Sequence, residues 1–163
     1  MSPPAELIQA ALTDADLEFQ RLSPDSFVVA LPGDRRQKTA CFLTVGAYAV
    51  EIEAFVMRKP EENVAAVHAF LLARNARMYA VSWASDSVGD IYLSGRMPVA
   101  AINAAEVDRI LGCVLEYADG TFNTLLTMGF GSSIRREWAW RVRRGESLAN
   151  LAAFADFAQR PAD

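Results

Sequence analysis

"YAVEIEAFVM", residues 48–57, sets the period of the first half of the chain. Tyr48, Val50, Ile52, Ala54 and Val56 alternate with Ala49, Glu51, Glu53, Phe55 and Met57, so a strand here presents one apolar face and a second face that begins polar. That alternation belongs to an antiparallel sheet with one face on a core and the other in part wet. Upstream, "LEFQRL" (17–22), "SFVVALP" (26–32) and "TACFLTVG" (39–46) are further short runs rich in β-branched and aromatic residues, separated by the turn-forming "SPDS" and "PGDRRQ". Residues 17–57 therefore read as an antiparallel meander.

On either side the period changes to that of a helix. Pro3 and Pro4 open "AELIQAAL", whose Leu7, Ile8, Ala11 and Leu12 share one face, and this helix is expected to end near Asp14. After Pro60, "EENVAAVHAFLLARNARM" (61–78) carries a stripe of Val64, Val67, His68, Leu71 and Leu72, with acids at its start and arginines at its end, and predicts a helix of about fifteen residues. "YAVSWAS" (79–85) and "GDIYLSG" (89–95) predict a hairpin. Asn103 with Glu106 resembles a capping box, and Val107, Ile110, Leu111, Val114, Leu115 and Ala118 hold a stripe that continues through Gly120 in Phe122, Leu125 and Leu126. A helix over 104–130 would span roughly 40 Å, so part of it is expected to pack on a second copy. "GFGSS" (129–133) is expected to stop that helix through a left-handed glycine. "ESLANLAAFADFAQ" (146–159) then closes the chain as a helix with Leu148, Leu151, Ala152, Ala155 and Ala158 on one face.

Composition narrows the function classes. The 163 residues suit one domain, and 52% apolar with 22% charged residues makes the chain globular. A net charge of −4 argues against a surface built for phosphate backbones, so nucleic acid is an unlikely partner for the chain as a whole. Cys41 and Cys113 lie in apolar runs and read as reduced core residues. No apolar run is long enough to cross a membrane, and a cytoplasmic protein with no membrane attachment is expected.

No residue set announces a chemistry. His68 is the single histidine and reads as a packed helix-edge residue. Glu51 and Glu53 read as a solvated sheet face, and Asp86 and Asp90 as turn formers. "GFGSS" lacks the lysine of a phosphate loop. No catalytic residue, metal site or cofactor is expected.

One segment stands apart in charge. "SIRREWAWRVRRGES" (133–147) carries Arg135, Arg136, Arg141, Arg143 and Arg144 against Glu137 and Glu146, a net of +3 in a chain of net −4. As a helix it places Ile134, Trp138 and Val142 on a stripe expected to face the core. Arg136, Trp140, Arg143 and Arg144 gather elsewhere, with Trp140 as a half-exposed ring stacked by arginine. Three roles stay open: packing with a solvated face, a protein-partner or dimer surface, or a platform for nucleic acid or another polyanion. The candidate partner-binding residues are Arg135, Arg136, Trp138, Trp140, Arg141, Arg143 and Arg144.

The element order, together with "GDIYLSGRMP", "EVDRILGCVLEYADGTFNTLLTMGF" and "REWAWRVRRGES", resembles the YbjN family of small bacterial proteins, described as regulators of sensory transduction. The resemblance implies an α+β fold, a curved antiparallel sheet packed against helices like that of class I type III secretion chaperones, often dimeric. It defines no catalytic residue. The expected organisation is a YbjN-like α+β domain over 1–132 and a helical C-terminal extension over 133–163 packed on the same domain. The expected function is a non-enzymatic regulatory protein, a homodimer recognising a protein or peptide partner in a chaperone-like way. The alternative is a regulator contacting nucleic acid or another polyanion through 133–147.

Overall fold

A computed structural model describes residues 1–161. Helix α1 (Pro3–Asp14) begins where Ser2 accepts the Ala5 N–H, and it buries Ala5, Ile8 and Leu12. Strands β1 (Glu18–Ser23), β2 (Ser26–Pro32), β3 (Lys38–Val45) and β4 (Ala49–Met57) form the meander. Helix α2 (Val64–Asn75), strands β5 (Val81–Ser85) and β6 (Ile91–Pro98), the long helix α3 (Ala104–Arg144) and a short α4 (Ala155–Gln159) follow. The six strands are all antiparallel in the order β1-β2-β3-β4-β6-β5, so the later hairpin joins the meander through β6 against β4. The fold is α+β: one antiparallel sheet with helices, and a helical C-terminal part.

Alternation decides which face carries the core. Phe27, Val29, Cys41, Leu43, Val50, Ile52, Ala54, Ile91 and Leu93 are buried with Val67 and Leu71 of α2 and with Val107, Ile110, Val114 and Leu125 of α3. The opposite rows are wet, and there Glu51 pairs with Arg96 at 3.4 Å. Glu51 and Glu53 thus lie on a solvated sheet face, as the sequence suggests. Tyr48 departs from the alternation: it sits in the β3–β4 turn at 87% exposure, outside the strand that begins at Ala49. A bulge between Phe55 and Met57 lets both Val56 and Met57 be buried.

The sheet's edge at β5 is closed by a side chain. Asn75, the last residue of α2, accepts the Trp83 N–H at 2.7 Å and donates to the Trp83 carbonyl at 3.2 Å. Its amide takes the place of one residue of a neighbouring strand and blunts an edge that would otherwise invite pairing. At the hairpin tip Asp86 accepts the N–H groups of Val88 and Asp90, and the Asp90 carboxylate accepts the Lys59 N–H, so both acids shape turns.

Several helical expectations need correction. α2 begins at Val64, after the acids, and buries only Val67 and Leu71; His68 is exposed and Leu72 is 72% exposed, because the helix offers a narrow stripe to α3 and β5. "ESLANLAAFADFAQ" is a 3-10 segment (Ala149–Phe154) followed by the five residues of α4, and its one buried residue is Phe154 rather than the leucine and alanine face. "GFGSS" does not stop α3. The helix runs on to Arg144 and ends at Gly145, which takes the left-handed conformation at φ 65°.

The two cysteines also separate. Both are free thiols, but only Cys41 is fully buried, and Cys113 is half-buried. Burial pushes the Cys41 thiol up to about 12. In folded protein a thiol-specific chromogenic reagent is therefore expected to reach Cys113 alone. A Cys113→Ser variant should release no colour until denaturant is added; prompt reaction of that variant would show Cys41 to be accessible.

Candidate functional site: a kinked helix, a groove and an arginine arm

α3 holds one residue off the helical path, Phe130, at φ −135° and ψ 19°. Such a break frees carbonyls on one side and N–H groups on the other, and these need partners. The loop ahead of α2 supplies them. The Gly129 oxygen accepts N–H bonds from Glu61 (2.9 Å) and Glu62 (3.2 Å), and Asn63 donates its side-chain amide to the Met128 oxygen (2.9 Å). In return the Glu62 carboxylate accepts from the Ser132 N–H (2.6 Å) and hydroxyl (2.8 Å), and the Ser133 hydroxyl donates to Glu61 at 2.5 Å.

These bonds hold both carboxyls below the usual carboxylate range, Glu61 mainly through the Ser133 hydroxyl and Glu62 mainly through the Ser132 N–H. Two negative charges at the start of the second helical arm also suit its dipole. The glycines serve close approach: a methyl at Gly129 would stand 2.9 Å from the Pro60 Cβ, and one at Gly131 would stand 2.9 Å from the Phe157 ring. "GFGSS" is thus a stapled kink.

Beside the kink, where β4 ends, lies an open groove of about 570 Å³. Phe55 and Met57 form its sheet wall, Phe122, Leu126, Phe130 and Ile134 its helix wall, and Leu151 of the C-terminal segment closes one side. Two arginines mark its rim. The Arg58 guanidinium lies 4.3 Å from the Phe130 ring centroid and pairs with Glu61 at 3.0 Å. The Arg36 guanidinium lies 5.6 Å from Phe122 and 6.0 Å from Phe55, bridging helix and sheet.

Arg36 is positioned through its backbone. Asp119, buried on α3, accepts the N–H groups of Arg35 and Arg36 at 2.8 Å each through one oxygen, while Arg35 stands 4.0 Å from the other. Burial alone would raise the Asp119 carboxyl, but the backbone donors at Arg36, Arg35 and Asp34, with the Arg35 charge, hold it below its ordinary value. Gly33 packs so close to Asp119 that a methyl there would overlap the carboxylate.

Past the kink, the arm carries the arginine and tryptophan residues. Ile134 packs against the core, but Trp138 is only half-buried and Val142 is 56% exposed. The expected buried stripe fades past Ile134, where the arm meets the C-terminal segment through Arg135 on Phe157 and Arg141 on the Ser147 carbonyl. Trp140 is 41% exposed, with the Arg144 guanidinium 5.0 Å from its ring, the stacking expected of it. Arg144 also faces Glu146 at 3.3 Å, and Arg141 donates to Glu137 at 2.6 Å and to the Ser147 carbonyl.

Arg135 lies 4.2 Å from the Phe157 ring, and its buried Nε has no partner among the described residues. Arg136 donates to Ser133. Arg136, Trp140 and Arg143 line a shallow trough of about 660 Å³ beside Glu137. Acids beside Arg141 and Arg144 offset much of the segment's positive charge. Among the described residues no three of His, Cys, Asp and Glu gather to hold a metal ion, and no helix is long and apolar enough to cross a membrane.

The family model described as "Putative bacterial sensory transduction regulator" matches residues 4–127, from α1 through the first arm of α3. The chain belongs to the YbjN family. A relative from Mycobacterium leprae (strain TN), described as an uncharacterized protein, is 52% identical over 154 residues, 91% of this chain and 84% of the relative. Among solved structures, the fold is similar to a chain of the ExsC–ExsE complex at TM-score 0.55 and 15% identity, covering 77% of this chain and 97% of that one. It is also similar to the structure of the Yersinia pestis type III secretion chaperone SycH in complex with a fragment of YscM2, at TM-score 0.50 and 11% identity, covering 71% and 96%. The YbjN match stops short of the kink, so Phe130 and the arginine arm lie beyond it.

Proposed function

We propose that this YbjN protein is a non-enzymatic regulatory protein that works as a homodimer and recognises a segment of another protein. The observation that carries this reading is the open apolar groove at the end of β4, set in a fold shared with proteins that were solved in complex with protein partners. The arm adds a second surface in which Trp138, Trp140, Arg135, Arg136, Arg141, Arg143 and Arg144 contact the partner, since stacked arginine and tryptophan are frequent anchors of protein interfaces.

Light scattering on the purified chain at micromolar concentration, together with affinity capture from the native cell, tests the proposal. A dimer and a captured protein whose yield falls about tenfold with Trp140→Ala and Arg143→Glu are expected. A monomer that captures nothing would end it. The trough lined by Arg136, Trp140 and Arg143 favours a second reading, contact with a polyanion. It requires binding of single-stranded or duplex probes that weakens steeply with salt and disappears with Arg143→Glu and Arg144→Glu.

A further inference from the structure

Two arginines stand at the groove in the same way, each against a phenyl ring, and differ in one respect. Arg58 has an acid, Glu61, at 3.0 Å. Arg36 has none within ion-pair distance among the described residues: its Nη1 donates to the Lys38 carbonyl (2.6 Å) and the Thr39 hydroxyl (3.2 Å), and its Nε and Nη2 donate to no described residue. Half-burial pulls the Arg36 guanidinium below its ordinary value, and Glu137, an acid lining the same groove, is held by Arg141 at 2.6 Å. A cation set between Phe55 and Phe122, its amide already fixed by Asp119, is preorganised for an anion approaching along an apolar wall.

We propose that the groove docks a segment of the partner protein made of apolar side chains around one acidic residue, with the apolar groups on Leu126, Phe130 and Ile134 and the carboxylate on Arg36. This rests on the protein-recognition reading above and names the chemistry of the partner. The volume of about 570 Å³ fits a few large side chains rather than a folded surface. The groove is open to solvent rather than an enclosed cavity, which a docked segment of chain requires.

The test is selection of a phage-displayed library of random dodecapeptides on the full-length protein, followed by fluorescence anisotropy with the selected peptides and with twins in which glutamate is replaced by glutamine. Apolar peptides carrying one acid at a fixed position are expected. Their affinity should fall about tenfold in the glutamine twin and in Arg36→Gln, and further in Arg36→Glu. Arg36 side-chain variants keep the backbone bonds to Asp119, so unchanged circular dichroism and a melting temperature lower by only about 2–4 °C are expected, with binding compared well below it. Arg36→Lys should restore part of the binding.

Selected peptides that bind Arg36→Glu as well as wild type, or that lose binding only with Trp140→Ala, would overturn the groove proposal and leave the protein-recognition reading standing. Enrichment of no peptide at all would count against both. Displacement of the peptides by decanoate at equal affinity would overturn the peptide as occupant and assign the groove to a small carboxylate.

Discussion

Gly95→Ala is expected to lower stability by about 3 kcal/mol or more, the largest loss foreseen for any single methyl in the chain. Gly95 lies in β6, the strand that joins the meander to the hairpin, and pairs with Ile52 on one side and Val81 on the other. A Cβ there would fall inside the carbonyl oxygen of Ala80 and stand 3.0 Å from the Val81 Cα. Both obstacles are backbone, so no rotamer change relieves them.

Ala80 is itself left-handed at φ 64°, just ahead of β5, so the site already holds strain. In a domain of this size the loss corresponds to a melting temperature lower by about 6–12 °C. Ala80→Gly alone should raise it slightly by relieving the left-handed alanine. The double variant should stay as unstable as Gly95→Ala, because the obstructing oxygen belongs to the main chain. A melting temperature of Gly95→Ala within 2 °C of wild type would show that β6 does not pass so close to Ala80.

Asp119→Ala is expected to cost about 2–4 kcal/mol, since it removes two charge-assisted hydrogen bonds and leaves the N–H groups of Arg35 and Arg36 without their acceptor. Asp119→Asn keeps an oxygen in place and should cost less than half as much. The pH dependence has a definite sign. The Asp119 carboxyl is held below its ordinary value in the folded state, so its stabilisation is fully present above the unfolded value, near 3.9, and fades as pH falls through the folded value. The gap between wild type and Asp119→Asn should therefore be constant from neutral pH down to about 5 and close in stronger acid. A gap that widens in acid would show that the carboxylate is not the acceptor. Asp119 also fixes the loop bearing Arg36, so Asp119→Ala should weaken the peptides selected on the groove even at temperatures where the protein remains folded.

The parts of this structure legible in the sequence are those governed by local period and local caps. Alternation in "YAVEIEAFVM" and the runs before it is enough to place β1 to β4, and Asn103 does cap α3 by accepting the Glu106 N–H. The family resemblance carried the α+β class and the likeness to secretion chaperones. What stayed hidden depends on partners far away in sequence. Two glycines and two serines serve a helix stop as well as a kink, and the choice is made by Glu61, Glu62 and Asn63 about seventy positions earlier. Asp119 sits on a helix face where an acid usually meets water, and its meaning appears only when the loop after β2 arrives beside it. Arg36 read as one charge in a turn, and the groove it borders forms only when β4 and both arms of α3 come together. The stacking of Arg144 on Trp140 was accessible because four residues on one helix make it local.

The break at Phe130 has a mechanical side. Fourteen residues of helix beyond it make a rod of about 20 Å with a single pivot, so a rotation of about 10° at the pivot sweeps its far end through roughly 3.5 Å. The hinge pin is the loop of Pro60 to Asn63, whose other end continues directly into α2. Because that loop also continues from β4, the direction of the arm, and with it the placing of Trp140 and Arg144, is set by the same few bonds that join sheet and helix.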